Sequence, residues 1–210
     1  LKSLAPIIRL VNAPGVVITK TDLGADNVDK LISLSKERSL NLSMASAGTG
    51  SMPHMMGEFF QMTENVTWTH IPYKGSSPAL LDLSAGRVDV MIDVMPVAVP
   101  LIKSGKLKAL AVTTAKRSTS LPDTPTLKEL GYSYDMGSWM GVVAPKGVPS
   151  AVIEALNSAL NDALKNPDFR SAMENIGVPV GGTSDDFESY ITSESARWNK
   201  IIDAKGIKID

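Results

Sequence analysis

The sequence predicts an α/β fold of two lobes. Short apolar runs alternate with amphipathic stretches of helical period, and several strand-like runs end in junctions rich in glycine, serine and proline. At 210 residues the chain is long enough for one large domain or two small lobes, each with a core.

The elements follow in order. Ile7 to Val11 and Val16 to Thr19 read as strands, split by a turn at Ala13, Pro14 and Gly15. Asn27 to Arg38 is an amphipathic helix with Val28, Leu31, Ile32 and Leu34 inward. Leu40 to Ala45 is a strand that enters Ser46-Ala47-Gly48-Thr49-Gly50-Ser51, and a helix follows over about Met52 to Thr63. Val66 to Ile71 is a strand leading into a loop at Tyr73-Lys74-Gly75-Ser76-Ser77, then a helix over about Ala79 to Ala85 that Gly86 stops. Val88 to Ile92 is a buried strand ending at Asp93, followed by a short helix from Pro96 to Lys103 and a strand from Leu107 to Thr113. Beyond a polar loop, Ser138 to Ala144 is a strand. Helices then cover Ser150 to Lys165, Pro167 to Ile176 and Ser184 to Ala204, the last opening on a box-like pair, Thr183 and Asp186. That helix sets Phe187, Ile191, Trp198 and Ile202 at helical spacing.

Composition narrows the function classes. The formal net charge of −1 supplies no basic field for nucleic acid or an anionic membrane surface. With no cysteine, disulfides, thiolate zinc sites and thiol nucleophiles are excluded, and two histidines are too few for a His-rich metal centre. No apolar run approaches the roughly 20 residues of a membrane span. No metal or cofactor is expected.

Three junctions at the carboxyl ends of strands draw attention: Ser46 to Ser51, Lys74 to Ser77, and Asp93 before Met95 and Pro96. Ligands of open α/β sheets sit at such ends. Glycine admits close approach of the backbone, and helix N-termini favour anions. Thr49, Ser51, Ser76 and Ser77 add hydroxyl donors, which would suit one carboxylate or a molecule with two. The structural alternative is that these turns only join strand to helix, with Ser76 or Ser77 as an N-cap, Pro78 in the first turn and Asp93 capping the next helix.

Other chemistries fit less well. Gly48-Thr49-Gly50 lacks the third glycine of a dinucleotide fingerprint, since Pro53 stands there, and no P-loop lysine follows. Ser51, His54 and Asp93 invite a serine-hydrolase reading, but no Gly-x-Ser-x-Gly elbow exists. His70, Trp198 and the Met55–Met56 pair read as structural. Trp68 suits core or cleft. Tyr73 and Trp139 suit either core packing or the aromatic wall of a cleft.

Larger motifs add a resemblance. The run Ser46 to His54 through Gly57-Glu58, the stretch His70-Ile71-Pro72-Tyr73-Lys74-Gly75-Ser76-Ser77-Pro78 to Asp82, and Gly86 to Asp93 recur in order in one family. So do Gly105 to Val112 with Arg117, Leu121 to Thr126, Ser138 to Pro145 and Gly181 to Thr183. Across nearly the whole chain the sequence resembles the solute-binding receptors of the tripartite tricarboxylate transporters, the Bug family. The resemblance implies a type II periplasmic-binding fold: two α/β lobes joined by crossover strands, with the ligand in the cleft. Lobe 1 would comprise 1–17 and 138–210, and lobe 2 would comprise 18–137. It further implies an extracytoplasmic, non-catalytic receptor that hands a di- or tricarboxylate, amino acid or aromatic acid to membrane transporter subunits. The runner-up is a ligand sensor feeding a signalling partner.

By the same resemblance the ligand contacts are Ser46, Gly48, Thr49, Gly50, Ser51 and His54, then Gly75, Ser76 and Ser77, with Asp93 and the aromatic Tyr73. Val94 stands where the family often has asparagine. Family members also begin with a strand and a Pro-Gly-Gly loop not found here. The expectation is that roughly 90 to 100 residues of a mature receptor are missing, the chain being a truncation, a fragment or a short form with lobe 1 partial.

Overall fold

A computed structural model describes residues 3–37, 39–132 and 136–208. Among them the order is β1 (Leu4–Thr19), α1 (Val28–Lys36), β2 (Ser43–Ser46), α2 (Met52–Glu64), β3 (Thr69–Pro72), α3 (Ser76–Ser84), β4 (Val90–Val94), α4 (Met95–Lys103), β5 (Lys108–Val112), β6 (Gly137–Pro145), α5 (Ser150–Ala163), α6 (Pro167–Glu174), β7 (Val178–Pro179) and α7 (Ser184–Lys205).

The residues group into two compact units: Leu1–Ala13 with Ser138–Lys200, and Pro14–Gly137 with Ile201–Asp210. These bounds differ from the expected 1–17 with 138–210 against 18–137. Residues 15–17 pair into the sheet of the larger unit. The last residues of α7 also belong there, with Lys205 ion-paired to Glu58 at 3.0 Å.

In the larger unit the strands run β3-β2-β4-β1-β5. β2 lies parallel to both β3 and β4, while β1 runs antiparallel to β4 and β5. The core on this sheet includes Val16, Ile18, Ala45, Leu80, Leu83, Met91, Met95 and Val112. Each large apolar side chain fully buried there contributes about 1.5–3 kcal/mol.

The expected turn at Ala13, Pro14 and Gly15 is absent, and β1 is one strand of 16 residues. Gly15 serves close packing instead. A Cβ there would stand 2.7 Å from Thr113 Oγ1 and 3.0 Å from Met56 Sδ, while its N–H donates to Thr113 Oγ1 at 3.0 Å. Pro14 has no N–H to lose from the ladder.

Local signals set the helix starts. Asn27 caps α1 by accepting from Lys30 N–H at 2.8 Å, and Ser51 caps α2, with Pro53 in its first turn. Asn65 ends α2 in the left-handed region, at φ 52°. Of the four residues expected inward on α1, Val28, Leu31 and Ile32 are buried and Leu34 half-buried. Arg38 lies outside the described residues.

In the smaller unit the first part of β1 pairs with β7, Val11 facing Pro179 and Asn12 facing Val178. β7 has only two residues, too few for a periodicity to show. Gly177, just before it, leaves no room for a side chain: a Cβ would lie 2.1 Å from the Asn12 carbonyl oxygen. Ile7, Ile8, Ala144 and Leu164 form the core, flanked by Leu10, Val142 and Phe169. Thr183 and Asp186 make the expected reciprocal cap: Thr183 Oγ1 accepts Asp186 N–H at 3.1 Å, and the Asp186 carboxylate accepts Thr183 N–H at 3.1 Å. Trp139 packs edge-on against Phe187 and Tyr190, and the Arg9 guanidinium lies 3.7 Å over the Tyr190 ring.

Candidate functional site

The candidate residues lie in the larger unit, at the carboxyl ends of three adjacent strands, β3, β2 and β4. Parallel pairing in register, Ser46 opposite Pro72, places the loops after β2 and β3 side by side. Tyr73 N–H donates to Ser46 O at 3.0 Å and Gly75 N–H to Ala47 O at 3.2 Å, tying the loops together. Gly48 holds φ +123°, and a Cβ there would meet Tyr73 O at 3.1 Å, so the close approach of these loops needs glycine.

Within the first loop most polar groups serve the loop itself. Gly48 N–H donates to Ser46 Oγ at 3.1 Å, Ser51 N–H and Oγ both donate to Gly48 O at 3.1 and 2.6 Å, and Gly50 N–H donates to His54 Nδ1 at 3.1 Å. The proton of His54 then sits on Nε2, which faces Glu58 Oε1 at 3.7 Å. His70 reaches across from β3, its Nε2 2.7 Å from Ser46 Oγ, and its ring stacks on His54 with centroids 3.9 Å apart. Burial, with His54 adding, pushes the His70 imidazole down to about 4. Burial raises Glu58, yet His54 and Lys205 outweigh it and hold the carboxyl at about 2.

Against this scaffold Thr49 and Ser77 stand out. Both are exposed, and among the described residues neither hydroxyl has a protein partner. Ser77 lies in the first turn of α3, whose amides have no partner within the helix. α3 starts three residues earlier than expected. Gly75, at φ 113°, is its N-cap, so neither Ser76 nor Ser77 is used as a cap. Ser76 Oγ donates instead to Asp93 Oδ1 at 2.9 Å, and Val94 N–H donates to the same oxygen at 2.8 Å. The N-cap of α4 is Val94, not Asp93. Asp93 is fully buried, its Oδ2 has no partner, and burial lifts its carboxyl to about 6.

The remaining aromatic candidates are accounted for by packing. Tyr73 sends its hydroxyl to Asp82 Oδ2 at 2.9 Å and packs on the core of the sheet. Trp68 is buried, stacked on Phe60, with its indole N–H on Ser35 Oγ at 2.8 Å. The nucleophile–base arrangement of the hydrolase reading is absent among the described residues. Ser51 Oγ meets the backbone N–H of His54 and not its ring, and Asp93 bonds serine and backbone. Among the same residues no group of His, Asp and Glu could hold a metal ion.

Sequence reading missed Glu58 and Lys205 as supports. Glu58, four residues after His54, carried a readable signal, since that spacing places both on one helix face. Lys205 carried none.

A family model described as tripartite tricarboxylate transporter family receptor matches residues 1–207. Protein BugT of Bordetella pertussis is 36% identical over 211 residues, covering all of this chain and 65% of its own length. The chain thus spans under two thirds of that relative. The solved structure of Rhodopseudomonas palustris Rpa4515 with adipate superposes with a TM-score of 0.85 at 34% identity, over 98% of this chain and 69% of that one. MatC (Rpa3494) of the same organism, with bound malate, gives 0.82 at 27% identity, over 95% and 69%. The expected α/β fold is the fold of these solute-binding proteins. No described helix is long and apolar enough to cross a membrane.

Proposed function

Because this chain belongs to the tripartite tricarboxylate transporter receptor family, we propose that it is a periplasmic, non-catalytic receptor. In this reading it captures a small carboxylate for the membrane subunits of a transporter. One observation carries the reading. The N-termini of α2 and α3 lie side by side at the ends of parallel β2 and β3, with Thr49 and Ser77 offering hydroxyls that no protein group among the described residues uses. Helix dipoles and first-turn amides stabilise an anion there without a cationic side chain.

The sequence candidates divide by role. Thr49, Ser76 and Ser77 contact the carboxylate. Ser46, Gly48, Gly50, Ser51, His54, Tyr73 and Gly75 shape and tie the two loops, and Asp93 acts through Ser76. The adipate of Rpa4515 and the malate of MatC point to dicarboxylates as the ligand class.

Isothermal titration calorimetry of the 210-residue chain with adipate, malate and citrate tests this. Saturable binding is expected, with the acid recovered unchanged. Thr49→Ala and Ser77→Ala should each weaken it about 10- to 100-fold, the loss of one hydrogen bond to a charged group of ~1.5–3 kcal/mol. Binding indifferent to both substitutions would place the ligand elsewhere.

A further inference from the structure

Among the described residues, Asp93 is the carboxylate of the site with an oxygen that has no hydrogen-bond partner. It ends β4, a strand paired on both sides, and is fully buried. Oδ1 accepts from Ser76 Oγ–H and Val94 N–H, while Oδ2 is sealed from solvent without a donor. Its surroundings supply no compensating charge. α3 presents Ser76, the start of α4 presents the amide of Val94, and Val16 of β1 stands opposite it in the ladder. Among the described residues no cation or second acid perturbs it. An ionised carboxylate so placed carries a buried charge with one oxygen unpaired, which is costly, and a proton on Oδ1 lowers that cost by neutralising the charge.

Oδ2 is sealed from solvent, but the state of Asp93 decides what Ser76 can offer a ligand. When Asp93 is ionised, the Ser76 proton is spent on Oδ1, and its oxygen turns only lone pairs outward. When Asp93 holds a proton on Oδ1, that proton can bond Ser76 Oγ, and the Ser76 hydroxyl proton is freed to donate to an anion. The same proton removes a negative charge from beside the bound carboxylate.

We propose that Asp93 and Ser76 form a proton-operated donor switch, so that capture of a carboxylate takes up a proton from solvent. This rests on the carboxylate-receptor reading above. The lifted carboxyl of Asp93 puts the transition close to neutral pH, where an approaching anion raises it further. By linkage, lower pH then tightens binding and binding draws in a proton.

Calorimetry with adipate and with malate, between pH 5.5 and 8 in buffers of different ionisation enthalpy, reads both quantities. The wild type should take up a proton, approaching about one per ligand near pH 7, and its Kd should rise by up to roughly tenfold per pH unit above about 6. Asp93→Asn should bind with no proton uptake and a flat profile over that range. Ser76→Ala should lose most of the tightening seen at low pH. The acids' own ionisation is common to all three proteins, so differences from wild type report Asp93 and Ser76. Binding of either acid by the wild type with no proton uptake overturns the switch and leaves the receptor reading intact. If neither acid nor citrate binds at any pH, the receptor reading falls and the switch with it.

Discussion

His54 and His70 stack face to face, their ring planes 14° apart and centroids separated by 3.9 Å, and each holds one side of the same glycine loop. His54 receives the amide of Gly50, and His70 meets the hydroxyl of Ser46. A proton added to His70 places a positive charge against the His54 ring with little water to screen it. Burial and this neighbour keep His70 neutral down to about 4.

That arrangement makes stability fall in mild acid. The His70 value in the folded chain is below the ordinary 6.5, so between pH 6.5 and 4 the unfolded chain binds more protons. Stability is full above 6.5 and declines as pH falls through that window. The ceiling is ~3 kcal/mol, and partial exposure reduces it to ~1–2 kcal/mol. Urea denaturation at pH 7 and pH 4.5 should show His70→Gln losing less stability than wild type over this interval. Equal losses would remove His70 as the cause.

Glu58 behaves oppositely. Its carboxyl is held at about 2, below the ordinary 4.5, despite burial that raises it, because His54 and Lys205 face it. The stability it contributes is present above pH 4.5 and is lost as pH falls toward 2. Lys205→Met should raise the Glu58 value, measurable by carboxyl carbon NMR, and cost ~0.5–1 kcal/mol at pH 7. An unmoved Glu58 titration would show that the ion pair contributes nothing in solution.

Gly48→Ala should separate binding from folding. At φ +123° the alanine is strained, and its Cβ meets Tyr73 O at 3.1 Å, so a cost of ~1–2 kcal/mol is expected together with displacement of Thr49. Gly86→Ala is the control. Its φ is +74° with open space around it, so it should lose ~1 kcal/mol of stability and keep its affinity for adipate or malate. Equal affinities for the two variants would argue against the loop as the site.

Thr113 ties two strands as they leave the sheet of the larger unit. It accepts Gly15 N–H at 3.0 Å and donates to Met136 O, and it is fully buried. Thr113→Val keeps the shape but orphans a buried N–H and a buried C=O, which should cost ~2–4 kcal/mol. Thr113→Ser, which keeps the hydroxyl, should cost ~1 kcal/mol or less for the missing methyl group. A serine variant as unstable as valine would assign the effect to packing.

What the sequence determined is what neighbours in the chain decide. The Thr183–Asp186 pair announced a helix start because a cap acts on amides within three residues of it. The strand–glycine–helix junctions and their order were legible for the same local reason, and they carried the family resemblance. The tertiary structure alone decided the rest. Pro14 and Gly15 read as a turn, because the need for glycine there comes from Thr113 and Met56, far along the chain. His70 read as an ordinary strand residue until the parallel register of β2 and β3 brought it to Ser46 and His54. Ser76 read as a cap and Asp93 as another, yet they bond each other because β4 lies beside β2 in the sheet. Backbone hydrogen bonds across a sheet fix which distant residues meet, and no spacing along one strand encodes its neighbour.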